Sequence, residues 1–386
     1  MLILPIGALA LTVGSVTQDK MLVIDMATFP LFAMGVIFLL GYFISLRRSF
    51  PYSVFTKFIV IILCAYPFLF YMLDGYQGDI AHYERWYNNI KDFQSLMVST
   101  YLWKGDFVFF GTIVLFNYLG LEYIDFIVGQ AFIKIQLLII FLYVVTSDLS
   151  EKVRLRMFSL TLIFILMSPN FHFFMGNILR HGFGAFFMLI SLALLHKNKT
   201  LSYLSFILGF FSHKSTVIAI TAFLPKITVK SALTIGFFGS LALLSFFYLS
   251  WFDKIFSYIN QGFYAGAPHK YVYLLAHFFM LFPLLYFRSW FVGYGLEYGS
   301  HIGYLYSSYK VMVFMSVVSL SLGFLTINLH YRFFGHFFFL FMISLGIRVA
   351  MTKKMDYFVL VLLLIAILFP VVNLNSSVSN IYIGSL

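Results

Sequence analysis

The stretch DGYQGDIAHYERWYNNI, residues 74–90, concentrates ionisable and aromatic side chains beside a long apolar run. If residues 79–90 form a helix, Asp79 and Tyr83 are four residues apart and share one face. A carboxylate can accept hydrogen bonds from sugar hydroxyls, and an aromatic ring can pack against the C–H face of a sugar. The pattern therefore predicts a carbohydrate site with Asp79 as the hydroxyl acceptor and Tyr83 as a sugar contact. A loop at a membrane interface would show the same aromatic enrichment, because Tyr and Trp favour that interface.

Two arginines begin otherwise apolar segments. Arg180 and His181 stand at the start of one in GNILRHGFGAFF, three residues after Asn177, and Arg332 lies in NLHYRFFGHFFF. An arginine at a helix start can hold a phosphate, because the helix N-terminus is itself attractive to anions. Each arginine is therefore a candidate phosphate contact. The alternative for Arg180 is a charged head that reaches the level of the lipid headgroups.

His213 lies inside the apolar stretch LSYLSFILGFFSHKSTVIAITAFLP, followed by Lys214 and Ser215. Ionisable groups at such a depth are costly and usually face a cavity or a partner. His213 is therefore a candidate functional residue, with a satisfied core histidine as the alternative. The other histidines show no metal-ligand spacing and no HExxH motif, so we predict neither a metal nor a cofactor.

The composition predicts that this chemistry lies in a membrane. Hydrophobic residues make up 62% of the chain and charged residues only 10%, and apolar runs near 20 residues recur from end to end. That is the length a helix needs to cross a bilayer. We predict an all-α, polytopic transmembrane bundle of about 11–13 spans, forming a single integral membrane domain over residues 1–386. The one cysteine, Cys64, excludes an internal disulfide.

The net charge of +11 indicates membrane orientation rather than nucleic-acid binding, because Lys and Arg gather in cytoplasmic loops. Keeping every basic loop on one side places residues 74–106 outside, makes 107–119 an interfacial helix, and leaves 251–270 as a second outer loop that contains Tyr258 and Tyr264. It also turns 201–225 into a re-entrant pair of short helices broken at SHKS, since one span cannot keep both its ends inside. The predicted spans are 2–16, 28–46, 54–73, 124–146, 157–170, 180–195, 231–250, 271–287, 308–327, 333–349 and 356–372.

The order of these motifs resembles a known family. GDIAHYERWY, then GNILRHGFGAFFMLISLALLHKNK and FSHKSTVIAI, then YRFFGHF, are similar to the EpsG family of Wzy-type polysaccharide polymerases over residues 70–340. Members typically show G-x-D-x-x-x-Y, N-x-x-R-Q-x-x-A, H-x-S and a late arginine. Here His181 replaces the glutamine and Gly184 the alanine. WKGDFVFF stands where a glutamate-containing E-P-G-F stretch is common, so Asp106 is not assigned the role of that glutamate.

The resemblance implies a multi-pass protein of the bacterial inner membrane, distantly like the GT-C class of glycosyltransferases. Such proteins join oligosaccharide repeat units carried on undecaprenyl pyrophosphate into O-antigen, capsule or exopolysaccharide at the periplasmic face. A chain-length regulator and a flippase are implied as partners. Arg180 and Arg332 are then expected to hold the pyrophosphate and Asp79 or His213 to be the base, with Asp79 preferred. Substrate contacts are expected from Tyr83, Asn177, His181, Lys214, Ser215, Tyr258 and Tyr264.

Three other functions fit parts of the pattern. Another lipid-carrier-dependent glycosyltransferase or an O-antigen ligase would need the same arginines and base. A transporter would use broken helices, but these usually occur at matching positions in two repeats, and only one such segment stands out here. A polysaccharide acyltransferase would also use a membrane histidine and arginines.

Overall fold

The computed structural model describes residues 34–47, 49–72, 80–99, 106–166, 168–177, 179–223, 299–323 and 327–351, together with isolated positions between 277 and 288. Within these ranges the secondary structure is helical, without a strand, which confirms the predicted all-α class. Several predictions concern residues outside the described ones, namely the spans 2–16, 231–250 and 356–372, the loop 251–270 with Tyr258 and Tyr264, and Asp79.

The helices follow one another along the chain with short connections. In order they are α1 (Met34–Leu46), α2 (Tyr52–Met72), α3 (Ile80–Asn89), α4 (Phe93–Val98), α5 (Phe107–Tyr118), α6 (Tyr123–Thr146), α7 (Glu151–Leu166), α8 (Pro169–His172), a π-helical turn (Phe173–Asn177), α9 (Leu179–Leu194), α10 (Lys199–Ser212), a 3-10 helix (Lys214–Phe223), α11 (Ser300–Gly323) and α12 (Ile327–Met351).

One described helix, α6, is long and apolar enough to cross a bilayer, with a mean hydropathy of 2.1 over its best window. Shorter apolar helices accompany it, among them α1, α5 and α9. These features indicate membrane association, and the number of spans stays a prediction.

The main core joins α2, α6, α7, α9, α11 and α12. Small residues let these helices approach closely, as is usual where helices pack in lipid. A Cβ at Gly346 of α12 would lie 2.7 Å from the Cα of Thr161 in α7. Hydroxyl groups add polar contacts, since Ser344 donates to Ser308 at 3.0 Å between α12 and α11.

A second, smaller core packs α3, α4 and α5 against the start of α6 and of α9. The rings of Tyr83, Tyr87 and Phe109 are buried in it. Asn117 joins α5 to the end of α3, because its side-chain amide donates to the carbonyl oxygens of Tyr87 at 3.0 Å and Ile90 at 2.8 Å. The helices predicted at 79–90 and 107–119 are therefore present, and they form a packed layer over one end of the bundle.

The chain reverses at His213. Its backbone is extended (φ −161°, ψ 129°), so α10 ends at Ser212 and the 3-10 helix begins at Lys214. The ring of Phe223 stacks on that of Tyr203, with centroids 4.8 Å apart, so the 3-10 helix runs back alongside α10. The break predicted at SHKS is present, with His213 at the tip of the hairpin.

The two ends of α9 lie in different surroundings. Its 16 residues extend about 24 Å. Just beyond its last residue His196 contacts the Ser307 hydroxyl at 3.0 Å and Lys197 pairs with Asp148 at 3.3 Å. We call this the basic end, because Arg154 and Lys199 also belong to it. Arg180 lies at the opposite end, beside the α3–α5 layer.

Candidate functional site

Arg180, in the first turn of α9, is held on two sides. Its Nη1 lies 2.5 Å from Oδ2 of Asp106, the residue just before α5. Its guanidinium carbon lies 4.8 Å from the centre of the Trp86 ring in α3. The Tyr83 hydroxyl is a further polar neighbour. An arginine fixed between an aromatic ring and a carboxylate keeps its planar fork in one orientation, which suits recognition of a phosphate.

Asp106 is a site residue that the sequence did not reveal as one. It is only 4% exposed, and Arg180 is its ion-pair partner. A buried carboxylate needs such a partner because an isolated charge is costly to desolvate. The two residues are 74 positions apart, so only their isolation in apolar surroundings could have indicated that each needs a partner.

Tyr83 was predicted as a sugar contact, and its ring is almost fully buried. It packs edge to face on Trp86 and Phe109, with centroids 5.3 Å and 5.4 Å away. The Tyr83 ring therefore packs against Trp86, the ring that Arg180 contacts. Trp86 is half-buried, so it is the more accessible aromatic ring of the pair.

Three histidines from different elements meet at the hairpin tip. The rings of His181 (α9) and His213 (hairpin) are nearly perpendicular with centroids 3.5 Å apart, and His336 (α12) lies 5.7 Å from His181. The Ser215 hydroxyl lies 2.7 Å from Nδ1 of His213 and 3.3 Å from Nε2 of His336. Of these residues, His336 was not predicted to belong to the site.

The hydrogen bonds determine the protonation of His213. The backbone N–H of Ser215 donates to Nδ1 of His213 at 3.2 Å, and a backbone N–H can only donate. Nδ1 therefore carries no proton, and the ring proton of His213 is on Nε2. The Ser215 hydroxyl then donates to Nδ1 and accepts from Nε2 of His336. These bonds link His213 to His336 through the Ser215 hydroxyl.

Gly184 allows the hairpin tip to lie against α9. A Cβ at this position would be 2.6 Å from Cγ2 of Thr216 and 3.2 Å from Cβ of His213. The carbonyl oxygen of Gly209 in α10 would be 3.4 Å away. The absence of a side chain at Gly184 therefore leaves room for the hairpin tip against α9.

Lys134 is a second residue that the sequence analysis missed. It lies in the middle of α6, is completely buried, and donates to the carbonyl oxygens of Phe174 at 2.8 Å and Met175 at 3.4 Å. The signal was present, because a lysine within a long apolar helix is costly and usually functional.

The remaining predicted residues lie near this arrangement along the chain. Asn177 ends the π-helical turn just before α9, and Lys214 opens the 3-10 helix directly after His213. Arg332 lies in α12, four residues before His336. Asp79 comes just before α3, outside the described residues.

His172 shows what a purely structural histidine looks like here. Its Nε2 donates to the carbonyl of Leu166 at 2.7 Å, and its Nδ1 accepts from the Tyr66 hydroxyl at 2.7 Å. Both ring nitrogens are thus used to join α2, α7 and α8. His213 differs in the origin of its contacts, because Ser215 of the hairpin's own turn supplies two of them and the ring of His181 lies against it.

Comparison with known proteins adds no relative: no protein-family model, curated protein or solved structure matches this chain. Within the described ranges, no group of three or more His, Cys, Asp or Glu side chains is arranged to hold a metal ion.

Proposed function

We propose that this protein is a Wzy-type polysaccharide polymerase, a glycosyltransferase with a GT-C-like bundle of about 11–13 spans in the bacterial inner membrane. Its substrates are oligosaccharide repeat units carried on undecaprenyl pyrophosphate. One observation carries the proposal. Arg180 with Asp106, and His213 with Ser215, come from distant parts of the chain and converge at the end of α9 opposite the basic end.

The reaction joins an acceptor sugar to the anomeric carbon of a donor. A hydroxyl oxygen of the acceptor forms the new bond to that carbon, and the bond from the carbon to the pyrophosphate oxygen breaks. Negative charge grows on the leaving pyrophosphate, and the hydroxyl proton passes to a base. The protein must therefore supply fixed positive charge or N–H groups on one side and a proton acceptor on the other.

Arg180 suits the first task, because its fork is already oriented by Trp86 and Asp106. We assign His213, which contacts His181 and Ser215 next to Arg180, to holding the pyrophosphate as well. Arg332 is the proposed second arginine for the pyrophosphate. This division leaves the proton to a carboxylate, and we assign it to Asp79, with Asp106 engaged by Arg180.

Location supports the same function. Arg154, Lys197 and Lys199 belong to the basic end, where the positive-inside rule places cytoplasmic residues. The candidate site then faces the periplasm, where repeat units on the lipid carrier are polymerised. The α3–α5 layer, with the half-buried Trp86, would cover this face.

Deletion of the gene in its host, followed by a gel of the surface polysaccharide, tests the proposal. We expect lipid A core carrying a single repeat unit, and a full ladder when the wild-type gene is returned. Loss of a ligase would leave no repeat unit on the core. Loss of a flippase would leave no repeat unit outside the membrane, and an unchanged ladder would exclude all three functions.

A further inference from the structure

We infer that Lys134 is a positioning residue: its ammonium group holds the π-helical turn Phe173–Asn177 and thereby fixes where α9 presents Arg180 and His181. The structural half of this inference stands without an assigned activity. Its consequence for turnover rests on the proposed function.

The first step concerns the lysine itself. Lys134 is completely buried within α6, and the two carbonyl oxygens it contacts belong to one turn, at 2.8 Å and 3.4 Å. A buried polar group without partners is unfavourable, and both the Lys134 Nζ and the two carbonyl oxygens would lack these hydrogen bonds if they separated. The Lys134 side chain and the turn therefore stabilise each other.

The second step concerns the turn. In a π-helical turn hydrogen bonds run from residue i to i+5 instead of i+4, so the backbone carbonyls are displaced from their usual partners. The carbonyls of Phe174 and Met175 point to Lys134 in this structure. Such turns are rare and occur frequently at functional sites. Here the turn ends three residues before Arg180.

The third step connects the turn to the site. A Cβ at Gly182 would overlap the carbonyl oxygen of Phe174 and lie 3.2 Å from Cε of Lys134. The Phe174 carbonyl therefore lies between Lys134 and the backbone of α9. It meets that backbone at Gly182, two residues after Arg180. The Lys134 ammonium also lies 5.5 Å from the centre of the Phe183 ring. A shift of this carbonyl must move the first turn of α9.

Lys134 is not a catalytic residue, because no part of it is exposed to a substrate. Its effect on turnover would pass through the position of Arg180. Misplacement of a catalytic group by about 1 Å can cost 100-fold in rate.

Three substitutions separate the contributions of charge and of donor groups. Lys134→Met keeps the length and loses both, Lys134→Gln keeps N–H donors without charge, and Lys134→Arg keeps both. Local hydrogen exchange over residues 173–183 would be measured by mass spectrometry, with α11 as the internal reference. The position of the start of α9 relative to α5 would be followed by cross-linking cysteines at 106 and 180 with a short bifunctional thiol reagent in a Cys64→Ser background; because these cysteines replace the ion pair, turnover is measured in separate variants that keep it. Cysteines at 148 and 197, the pair at the basic end, are the matched control.

For Lys134→Met we expect faster exchange in 173–183 but not in α11, weaker cross-linking of 106 to 180, and unchanged cross-linking of 148 to 197. We expect kcat/KM per folded molecule, with an undecaprenyl-pyrophosphate-linked repeat unit, to fall by about 100-fold. Lys134→Gln should be intermediate, and Lys134→Arg should recover most of each property.

Each arm can overturn the inference. Unchanged exchange in 173–183 would show that Lys134 does not hold the turn. Exchange that rises equally in α11, with normal turnover per folded molecule, would indicate a general structural role. If the wild-type protein has no polymerase activity, the proposed function fails, while exchange and cross-linking still decide whether Lys134 positions Arg180. If Lys134→Met does not insert, Lys134→Gln against Lys134→Arg gives the same comparison.

Discussion

Arg180 is the residue on which the proposed chemistry depends most directly. Its guanidinium contacts an aromatic ring and a carboxylate, and its position at the start of α9 adds the N-terminal field of the helix. The ion pair with Asp106 means that an incoming pyrophosphate must share the fork with that carboxylate. Binding of an anion should therefore weaken the contact between Arg180 and Asp106.

We expect Arg180→Ala to abolish chain extension while the protein still inserts, because the neutralising charge on the pyrophosphate is lost. Arg180→Lys should restore little polymer, since an ammonium cannot present a planar fork or stack on Trp86 in the same way. The measurement is the length of the polysaccharide ladder at matched expression.

Lys197→Ala is the matched control for the loss of a cation. Lys197 pairs with a half-exposed Asp148 at the basic end, and exposed pairs contribute about 0–1 kcal/mol. It should leave the ladder unchanged. A normal ladder from Arg180→Ala would remove this arginine from the site.

The sequence alone singled out Arg180, His213 and Ser215 as candidates, but not Asp106 and His336, which contact Arg180 and Ser215. A polar residue in an apolar segment is visible in the sequence, because its isolation is local. Asp106 and His336 became meaningful only in three dimensions, since they lie 74 and 121 positions from Arg180 and Ser215. The protonation of His213 was also beyond the sequence, because it depends on a turn in which the backbone of Ser215 points back at the ring.

The hairpin of α10 and the 3-10 helix is the element that places His213. Two glycines face each other where it packs against α9, because a Cβ on Gly184 or on Gly209 would lie 3.4 Å from the carbonyl oxygen of the other. Ser191 and Ser202 join the same two helices further along, each hydroxyl donating to the other's carbonyl at 2.7–3.0 Å. The packing of α9 against α10 is therefore set at two positions along the helices.

We expect Gly184→Ala to displace the hairpin tip, because the new methyl group would overlap Thr216 and press on His213. Overpacking of this kind typically costs 1–3 kcal/mol. Turnover per folded molecule should fall more than the melting temperature indicates, since the displaced residue belongs to the site. Thermal unfolding in detergent and the polysaccharide ladder would measure the two effects.

Gly111→Ala in α5 is the control for this substitution. A Cβ there meets nothing within 4 Å, and alanine is a better helix former than glycine. This variant should retain both stability and polymer. If Gly184→Ala behaves like Gly111→Ala, the close approach of the hairpin is not needed for activity.

The observed ends of two helices differ from the ends predicted from hydropathy. The predicted span 157–170 corresponds to α7, but α7 begins earlier, at Glu151, and ends at Leu166, before Pro169 and the π-helical turn. The predicted span 308–327 corresponds to α11, which begins eight residues earlier at Ser300. The serines near the predicted start, Ser307 and Ser308, have partners in other parts of the bundle, namely His196 and Ser344.

At the scale of the whole molecule, charge separates the two ends of the bundle. The described cations Arg154 and Lys197 contact the turn at 147–149, while Arg180 and the histidine cluster lie at the other end of α9. The positive-inside rule assigns the first end to the cytoplasm. The connectivity of the helices agrees with this assignment, since α12 runs from His336 near the site to Arg348 in its last turn.

We expect a cysteine at Asn88 to react with a membrane-impermeant thiol reagent in cells with a permeabilised outer membrane. A cysteine at Thr200 should not react until the inner membrane is also opened. Both positions are exposed in the folded protein, so access depends on the side of the membrane alone. Single cysteines in a Cys64→Ser background make the measurement. Labelling at 200 from outside would refute both the orientation and the re-entrant hairpin.

The bond between Lys134 and Phe174 also has a consequence for biosynthesis. Lys134 is synthesised 40 residues before Phe174, whose carbonyl oxygen accepts its hydrogen bond. At about 5–20 residues per second, this interval lasts roughly 2–8 s. During it Lys134 cannot make the hydrogen bonds to Phe174 and Met175 that it makes in the folded protein. The buried lysine and the π-helical turn can therefore come together only after the intervening α7 and α8 have been made.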